Sequence, residues 1–371
     1  MRAMPRSQDP SESSIVVSPP NGRPYPVRFG VDWDSFVAGT PVRPRRAVVI
    51  GDSTTAPLHG GPVAQAWRAA GSETLELDFP AGERSKCRAE KARLEDALFE
   101  ASIDRDDLLV AVGGGVTTDL VGFVAATYHR GLEWIAVPTS LLAQVDAAIG
   151  GKTGLNVPAG KNLVGAIHHP REVWVASSAL ATLPADEARQ GLAEAIKHGW
   201  IGAADLFERL EKTLPGGAAL AQEDLRAAVA YKAGVVSEQD EDRGKREILN
   251  AGHTVAHAIE RASENAVPHG RAVAIGLVVE ARVAESKSGV SVADRARLER
   301  LLLAVDLPVQ SDLPFEAIRP FLGADKKTRS GVIRCVLPSA IGAVMRDGDA
   351  WSHPVAVEDL RAAWERAPEP A

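Results

Sequence analysis

Three of the nine histidines of this chain fall in one short segment, which reads Asn-Ala-Gly-His-Thr-Val-Ala-His at 250–257 and ends in Pro268-His269-Gly270. His253 and His257 are four residues apart, so a helix would place both imidazoles on one face. Imidazole is the commonest metal ligand in proteins and the usual acid or base near neutral pH. Two histidines and a distant carboxylate form a catalytic zinc set with an open position. The segment therefore predicts metal-assisted chemistry. The alternative is that the two histidines lie on a helix without a functional role.

A candidate carboxylate lies in the segment 191–198, which reads Gly-Leu-Ala-Glu-Ala-Ile-Lys-His. Glu194 and Lys197 share a helix face, where an exposed ion pair would contribute only about 0.3–0.5 kcal/mol. The apolar neighbours instead indicate a partly buried helix. A carboxylate and an ammonium buried there would need partners such as a metal ion and an anion.

A polar stretch at 144–162 forms the next group, and it holds Asp146, Lys152, Asn156, Lys161 and Asn162 among glycines and small residues. We expect a loop that binds a phosphate or a polyhydroxylated substrate; a solvated surface loop is the alternative. Further basic residues occur in a chain of net charge −7, namely Lys197, Lys232, Arg246 and the pair Lys326-Lys327. This set suits an anionic small molecule, whereas the overall negative charge argues against nucleic acid as a partner.

Short apolar runs alternate with amphipathic stretches from Arg45 to Pro138, a pattern that predicts a parallel sheet with right-handed crossovers. The predicted strands are 47–52, 74–79, 107–112 and 134–138, and the predicted helices are 62–70, 85–101 and 116–128. The third strand runs into Gly113-Gly114-Gly115, and a strand–glycine–helix turn is typical of a dinucleotide pyrophosphate site. The glycines lack the G-x-G-x-x-G spacing, so a plain tight turn is the alternative.

Helical periodicity dominates after Thr182, over 183–211, 223–240, 254–264, 272–287 and 292–303, with one short strand at 332–337. We therefore expect an α/β protein with a disordered tail at 1–24, a Rossmann-like parallel-sheet domain at 25–180 and a mainly α-helical domain at 181–371. No stretch reaches the roughly 20 apolar residues of a membrane span, and Cys87 and Cys335 form no metal or disulfide pattern. These observations predict a cytoplasmic protein with no membrane partner.

Taken together, these segments resemble one family, the 3-dehydroquinate synthases, which are sugar phosphate cyclases. The matching stretches are 113–128, 137–154, 191–198, 249–260, 269–270, 325–327 and 336–342. They occur in the family's order between about Val48 and Gly342. The resemblance implies an NAD-binding sheet domain, a helical metal- and substrate-binding domain, and a homodimer.

The resemblance also assigns roles to residues. Glu194, His253 and His269 would bind one divalent ion, zinc or cobalt. The residues that would line the NAD site are Asp52, Glu83, Lys86, Gly114, Gly115, Asp119, Thr139, Ser140, Lys161, Thr182 and Leu183. Those that would contact substrate are Asp146, Lys152, Asn162, Lys197, Lys232, Arg246, Asn250, His257 and one of Lys326 or Lys327. Arg130 would reach the site of the neighbouring subunit.

The implied substrate is 3-deoxy-D-arabino-heptulosonate 7-phosphate (DAHP), which the shikimate pathway of aromatic amino acid biosynthesis converts to 3-dehydroquinate. NAD would oxidise one hydroxyl transiently, phosphate would leave by β-elimination, and the hydride would return before ring opening and aldol closure. The metal would polarise the reacting oxygen as a Lewis acid. Lys152, Asn162, Asn250 and His257 would hold the phosphate, and Lys232 and Arg246 the carboxylate.

Three positions, Asp242, Ala256 and Arg271, depart from the family's usual pattern and leave the exact substrate open. Two alternatives are cyclases of secondary metabolism, an aminodehydroquinate synthase and an epi-valiolone synthase. The latter acts on a substrate without a carboxylate, against which Lys232 and Arg246 argue. A metal-dependent NAD alcohol dehydrogenase is a further alternative, which the lysine-rich segment 150–162 disfavours. The remaining alternative is a non-enzymatic binding protein that does not use its metal and hydride-transfer groups.

Overall fold

A computed structural model describes residues 14–217, 219–239, 241, 243–322 and 332–367 of the chain. The chain divides into two compact units, and the division falls between Pro184 and Ala185. The first unit contains a large sheet with helices, and the second is mainly helical. The predicted α/β class, with a parallel sheet followed by a helical half, is confirmed.

The first unit is organised around a seven-stranded sheet in the order β1-β2-β9-β6-β5-β3-β4. All neighbouring strands of this sheet are parallel except β1 and β2. The strands of the unit are β1 Ser14–Val17, β2 Tyr25–Gly30, β3 Arg46–Asp52, β4 Glu73–Phe79, β5 Leu108–Gly113, β6 Trp134–Pro138, β7 Lys152–Val157, β8 Gly160–Ile167 and β9 Glu172–Ala176. Its helices are α1 Trp33–Gly39, α2 Gly61–Ala69, α3 Arg88–Glu100 and α4 Gly115–Thr127.

The central strands are almost entirely apolar, with the buried Glu172 of β9 as a charged residue among them, because both faces of the sheet are covered. Every residue of β5, β6 and β9 is buried, as expected for a parallel sheet between helical layers. On one face, Trp174 of β9 stacks against Trp67 of α2 and Phe36 of α1, with ring centroids 5.8 and 5.4 Å apart. This packing fixes α1 and α2 on that face of the sheet.

The structure corrects two predictions in the first unit. Residues 14–17 of the predicted disordered tail form β1, because their backbone pairs with β2; residues 1–13 lie outside the described part. The predicted loop at 144–162 is instead a π-helical turn, Ala143–Ala147, followed by the antiparallel hairpin of β7 and β8. Glycines and a register shift break the alternation of polar and apolar residues, so the hairpin has no clear strand pattern in sequence.

The second unit consists of eight helices and four very short strands within its described residues. The helices are α5 Ala185–Ile201, α6 Ala204–Thr213, α7 Gln222–Glu238, α8 His253–Ala262, α9 His269–Lys287, α10 Val292–Ala304, α11 Phe315–Ile318 and α12 Val357–Glu365. The strands are β10 Arg334–Cys335, β11 Pro338–Ala340, β12 Ala343–Val344 and β13 His353–Pro354. None of the described helices is long and apolar enough to cross a membrane.

The single helix predicted at 183–211 is in fact two helices, α5 and α6. The break falls at Gly202, where a Cβ atom would overlap the Tyr231 ring of α7. The polypeptide must therefore turn at this point to let α7 pack against α5. Helix α9 is buried along most of its length, continuously from Ala272 to Ala284, and it is the central helix of the unit.

Candidate active site

The second unit brings together the three predicted metal ligands, although they come from three different helices. Glu194 lies in the middle of α5, His253 is the first residue of α8 and His269 is the first residue of α9. Glu194 Oε1 is 3.7 Å from His253 Nε2 and 3.5 Å from His269 Nε2. Their candidate ligand atoms all lie within 4.8 Å of one another. Two imidazole nitrogens and one carboxylate oxygen match the donor set of a catalytic zinc site.

The start of α8 fixes the orientation of His253. His253 Nδ1 lies 3.0 Å from the carbonyl oxygen of Ala251, so the ring presents Nε2 to Glu194. The preceding residue, Gly252, has φ +78°, a left-handed conformation that glycine adopts readily. Its N–H donates to Glu280 Oε2 of α9 at 2.7 Å in a buried hydrogen bond. The turn that carries His253 is therefore held by α9.

The surroundings of the centre shift the pKa values of His253 and His269 in opposite directions. Burial lowers the pKa of His253 well below 6.5, and the nearby Lys197 ammonium lowers it further. Burial would also lower the pKa of His269, but hydrogen bonds with Glu194 and Glu260 raise it to about 10. The carboxylates of Glu194 and Glu260 therefore favour a positive charge on His269, whereas burial favours neutral His253.

Lys197 is buried next to the centre and pairs with Glu194. His257 lies beside His253, with ring centroids 5.5 Å apart, but it does not belong to the three-residue ligand group. Lys232 on α7 and Arg246 are also buried, and Arg246 and Asn250 both lie on the turn Gly244–Asn250 just before α8. Lys197, Lys232 and Arg246 are thus three of the buried cations of this unit, and their positive charge fits a site for an anion. Lys326, Lys327 and Asp242 lie outside the described residues.

In the first unit, the predicted nucleotide residues lie at the carboxyl ends of the parallel strands. Asp52 ends β3, Gly114 and Gly115 follow β5, and Thr139 and Ser140 follow β6. The chain passes from β3 to β4 on one side of β3 and then crosses to β5 on the other side. Such a switch point forms the crevice where open α/β sheets bind ligands. Asp52 Oδ1 accepts the N–H groups of Thr54 and Thr55 at 2.9 Å, which shapes the turn beside the crevice.

A second group in this unit centres on the buried Lys86, which contacts Asp119 of α4 and donates to Asn162 Oδ1 at 2.5 Å. Glu83 Oε1 accepts from Asn156 Nδ2 at 2.7 Å. The structure therefore joins the turn 83–85, α4 and the hairpin β7–β8.

The remaining predicted residues of the unit lie on other elements. Asp146 is in the turn Ala143–Ala147, Lys152 is on β7 and Lys161 is on β8. Arg130 ends the 3-10 turn Tyr128–Arg130, and Thr182 ends the 3-10 turn Ser177–Thr182, just before Leu183.

Sequence reasoning did not single out several residues that contact the predicted ones. His59 Nε2 lies 3.0 Å from Thr182 Oγ1, and Glu260 lies 3.5 Å from His269. Glu260 is seven residues after His253 and so shares its helix face, which was an available signal. The contacts of His59 and Glu280 join distant parts of the sequence, and no local pattern indicates them.

Two solved enzymes have a structure similar to that of this chain. One is 2-deoxy-scyllo-inosose synthase complexed with carbaglucose-6-phosphate, NAD+ and Co2+, with a TM-score of 0.86, 25% identity, and coverage of 95% of this chain and 99% of that one. The other is 2-epi-5-epi-valiolone synthase from Streptomyces hygroscopicus subsp. jinggangensis with NAD+ and Zn2+ bound, with a TM-score of 0.81, 26% identity, and coverage of 94% and 97%. The chain therefore has the fold of the sugar phosphate cyclases.

The sequence places the chain more narrowly within this class. Residues 76–190 match the family profile described as 3-dehydroquinate synthase N-terminal, and residues 191–328 match the one described as 3-dehydroquinate synthase C-terminal. A 3-dehydroquinate synthase of Geobacter metallireducens is 42% identical over 306 residues, which cover 80% of this chain and 84% of that protein. The chain belongs to the 3-dehydroquinate synthase family, as the resemblance predicted.

Proposed function

We propose that this protein is a 3-dehydroquinate synthase, which converts DAHP to 3-dehydroquinate and phosphate with recycled NAD and one divalent metal ion. The observation that carries the proposal is the convergence of Glu194, His253 and His269 beside the buried Lys197. A carboxylate and two histidines leave a coordination position for a substrate oxygen. In the cell, the reaction would serve the shikimate pathway and aromatic amino acid biosynthesis.

The three ligand residues would hold zinc or cobalt, which would supply a Lewis acid at the reacting oxygen. Bound NAD would accept a hydride and return it within one turnover. The nucleotide would be held by Asp52, Glu83, Lys86, Gly114, Gly115, Asp119, Thr139, Ser140, Lys161, Thr182 and Leu183. The switch point of the sheet between β3 and β5 supports this assignment.

The remaining polar residues would bind substrate. Lys152, Asn162, Asn250 and His257 would hold the phosphate, and Lys232 and Arg246 would hold the carboxylate. Asp146 would pass on the hydroxyl proton, while Lys197 and one of Lys326 or Lys327 would contact the sugar acid. Lys232 and Arg246 supply two buried positive charges, which would complement the carboxylate of the substrate. An epi-valiolone synthase would have no such use for them.

The assembly and compartment follow from the same proposal. The protein would act as a homodimer in which Arg130 completes the site of the neighbouring subunit. It would work in the cytoplasm, a reducing compartment that suits Cys87 and Cys335, neither of which forms a disulfide. Neither nucleic acid nor a membrane would be a partner.

The test is to incubate the protein with DAHP, a substoichiometric amount of NAD and Zn2+ or Co2+, and to follow phosphate release and the carbocycle formed. We expect many turnovers per NAD and no net NADH. NADH that grows in step with substrate loss would instead identify a dehydrogenase. Faster cyclisation of sedoheptulose 7-phosphate than of DAHP would leave the cyclase class intact but reject this substrate. An amino analogue of DAHP, tested in parallel, distinguishes an aminodehydroquinate synthase.

A further inference from the structure

We infer that Glu260 is a positioning residue for the metal centre, which it serves by holding the far side of the His269 ring. This inference rests on the proposed function, because it requires His269 to be a metal ligand. Glu260 is buried on α8, about two helical turns after His253. Its Oε1 lies 3.5 Å from His269 Nδ1.

The geometry places Glu260 outside the ligand group itself. His269 presents Nε2 to Glu194 at 3.5 Å and Nδ1 to Glu260 at 3.5 Å. The two nitrogens of an imidazole point in divergent directions, so one ion cannot meet Nε2 and also the carboxylate at Nδ1. Glu260 therefore acts on the metal through the ring. It accepts a hydrogen bond from the Nδ1–H group, which fixes the tautomer and makes Nε2 a stronger ligand for the metal.

The two metal histidines differ in this respect. His253 Nδ1 faces the neutral carbonyl oxygen of Ala251 at 3.0 Å, whereas His269 Nδ1 faces a carboxylate. A carboxylate polarises the imidazole more strongly than a carbonyl does. His269 is also the first residue of α9 and is less buried than His253, so its ring has greater need of a fixed partner.

The test compares Glu260→Ala and Glu260→Gln with the wild-type protein in Zn2+ binding, measured by competition with a chelator. Loss of an outer carboxylate typically weakens metal binding about ten- to hundredfold, which is the change we expect for Glu260→Ala. Glu260→Gln keeps an oxygen that can accept the hydrogen bond from Nδ1–H, so it should lose less Zn2+ affinity than Glu260→Ala. Glu264→Ala is the matched control, because Glu264 is exposed and lies just after α8; its affinity should equal that of the wild type.

A spectroscopic measurement separates positioning from a purely structural role. The Co2+-loaded Glu260 variants should show a visible absorption spectrum that differs from the wild type in position and intensity, because the ligand field of His269 changes. Unchanged Co2+ spectra and a Zn2+ affinity within about twofold of the wild type in both Glu260 variants would overturn the inference. If Glu260→Ala does not fold, the isosteric Glu260→Gln variant decides alone by the same criteria. A wild-type protein that binds no metal would reject the proposed metal centre itself, whereas tight wild-type binding with unaffected variants would reject only the role of Glu260.

Discussion

Two histidines one turn apart on α8 have different surroundings, and this difference predicts different roles. His253 Nε2 faces Glu194, while His257 lies beside the ligand group and remains partly exposed. His253→Ala should abolish stable metal binding, whereas His257→Ala should retain the metal and weaken the binding of phosphate-bearing substrate. Metal content after dialysis, measured by atomic absorption, checks the first expectation and substrate KM the second. Equal metal loss in both variants would contradict this division of roles.

The proposed carboxylate site makes substrate choice depend chiefly on Arg246. Its side chain is only 1% exposed, and its guanidinium suits a planar carboxylate. Loss of one charge-assisted contact costs about 1.5–3 kcal/mol, so Arg246→Ala should lower kcat/KM for DAHP by roughly ten- to hundredfold or more. Turnover of sedoheptulose 7-phosphate, which lacks the carboxylate, should change little.

Arg243→Ala provides the matched control for Arg246. Arg243 lies three residues earlier, is 65% exposed and pairs with Glu241, so its removal should alter neither substrate. If Arg246→Ala reduces both activities equally, the residue supports the fold rather than the choice of substrate.

The contact between α8 and α9 shows how helices position the site. Gly276 of α9 lies against the Gly252 turn, and a Cβ atom at 276 would overlap the Gly252 carbonyl group. Gly276→Ala should therefore lower the free energy of unfolding by about 1–3 kcal/mol, and it should weaken Zn2+ binding because His253 follows Gly252. Chemical denaturation and chelator competition measure the two effects.

Gly234→Ala on α7 is the control for Gly276→Ala. A Cβ atom at Gly234 would meet open space, so alanine should raise stability by up to about 1 kcal/mol through its higher helix propensity. Destabilisation by both substitutions alike would mean that glycine in these helices matters for a reason other than close approach.

The ends of α9 and α10 are held by a cluster of charges that makes stability depend on pH. Burial alone would raise the pKa of Glu285, but hydrogen bonds from Arg295 and Arg366 lower it below the ordinary 4.5. A lowered pKa stabilises the fold above that ordinary value, and the stabilisation is lost as the pH falls through the lowered one. Glu285→Gln should thus be less stable than the wild type near neutral pH, and the difference should shrink in acid. Urea unfolding over this range tests it; a difference independent of pH would contradict it.

The elements that could be predicted from sequence are those whose pattern is local. The buried strands β3, β5 and β6 are continuous apolar runs, and the ligand residues stand in short motifs. The strand β1 and the hairpin β7–β8 exist because of partners elsewhere in the chain, so their own sequence indicates them poorly. For the same reason, the motifs predicted Glu194, His253 and His269, but the supporting contacts of Glu280 and His59 required the folded structure.

For the whole molecule, the proposed homodimer depends on Arg130, which lies in the turn just after α4. His129 and Arg130 follow α4 with φ of +48° and +66°, a conformation that costs a non-glycine residue about 1 kcal/mol or more. Tyr128 anchors this turn, because its hydroxyl donates to the carbonyl oxygen of Ile103 at 2.9 Å. Strained backbone of this kind clusters at functional sites, and here it covers both His129 and Arg130, which motivates a test of Arg130.

Subunit mixing tests whether Arg130 serves the neighbouring site. Arg130→Ala and Lys197→Ala homodimers should each be nearly inactive, but a mixed dimer would contain one site with both groups intact. Random exchange makes about half of the dimers mixed, so activity should recover to about a quarter of the wild type. Mass spectrometry of differently tagged subunits must first show that exchange takes place. Complete exchange without recovery would place Arg130 in its own subunit's site or assign it to the support of the α4 turn, and the homodimer would then need no shared residue to work.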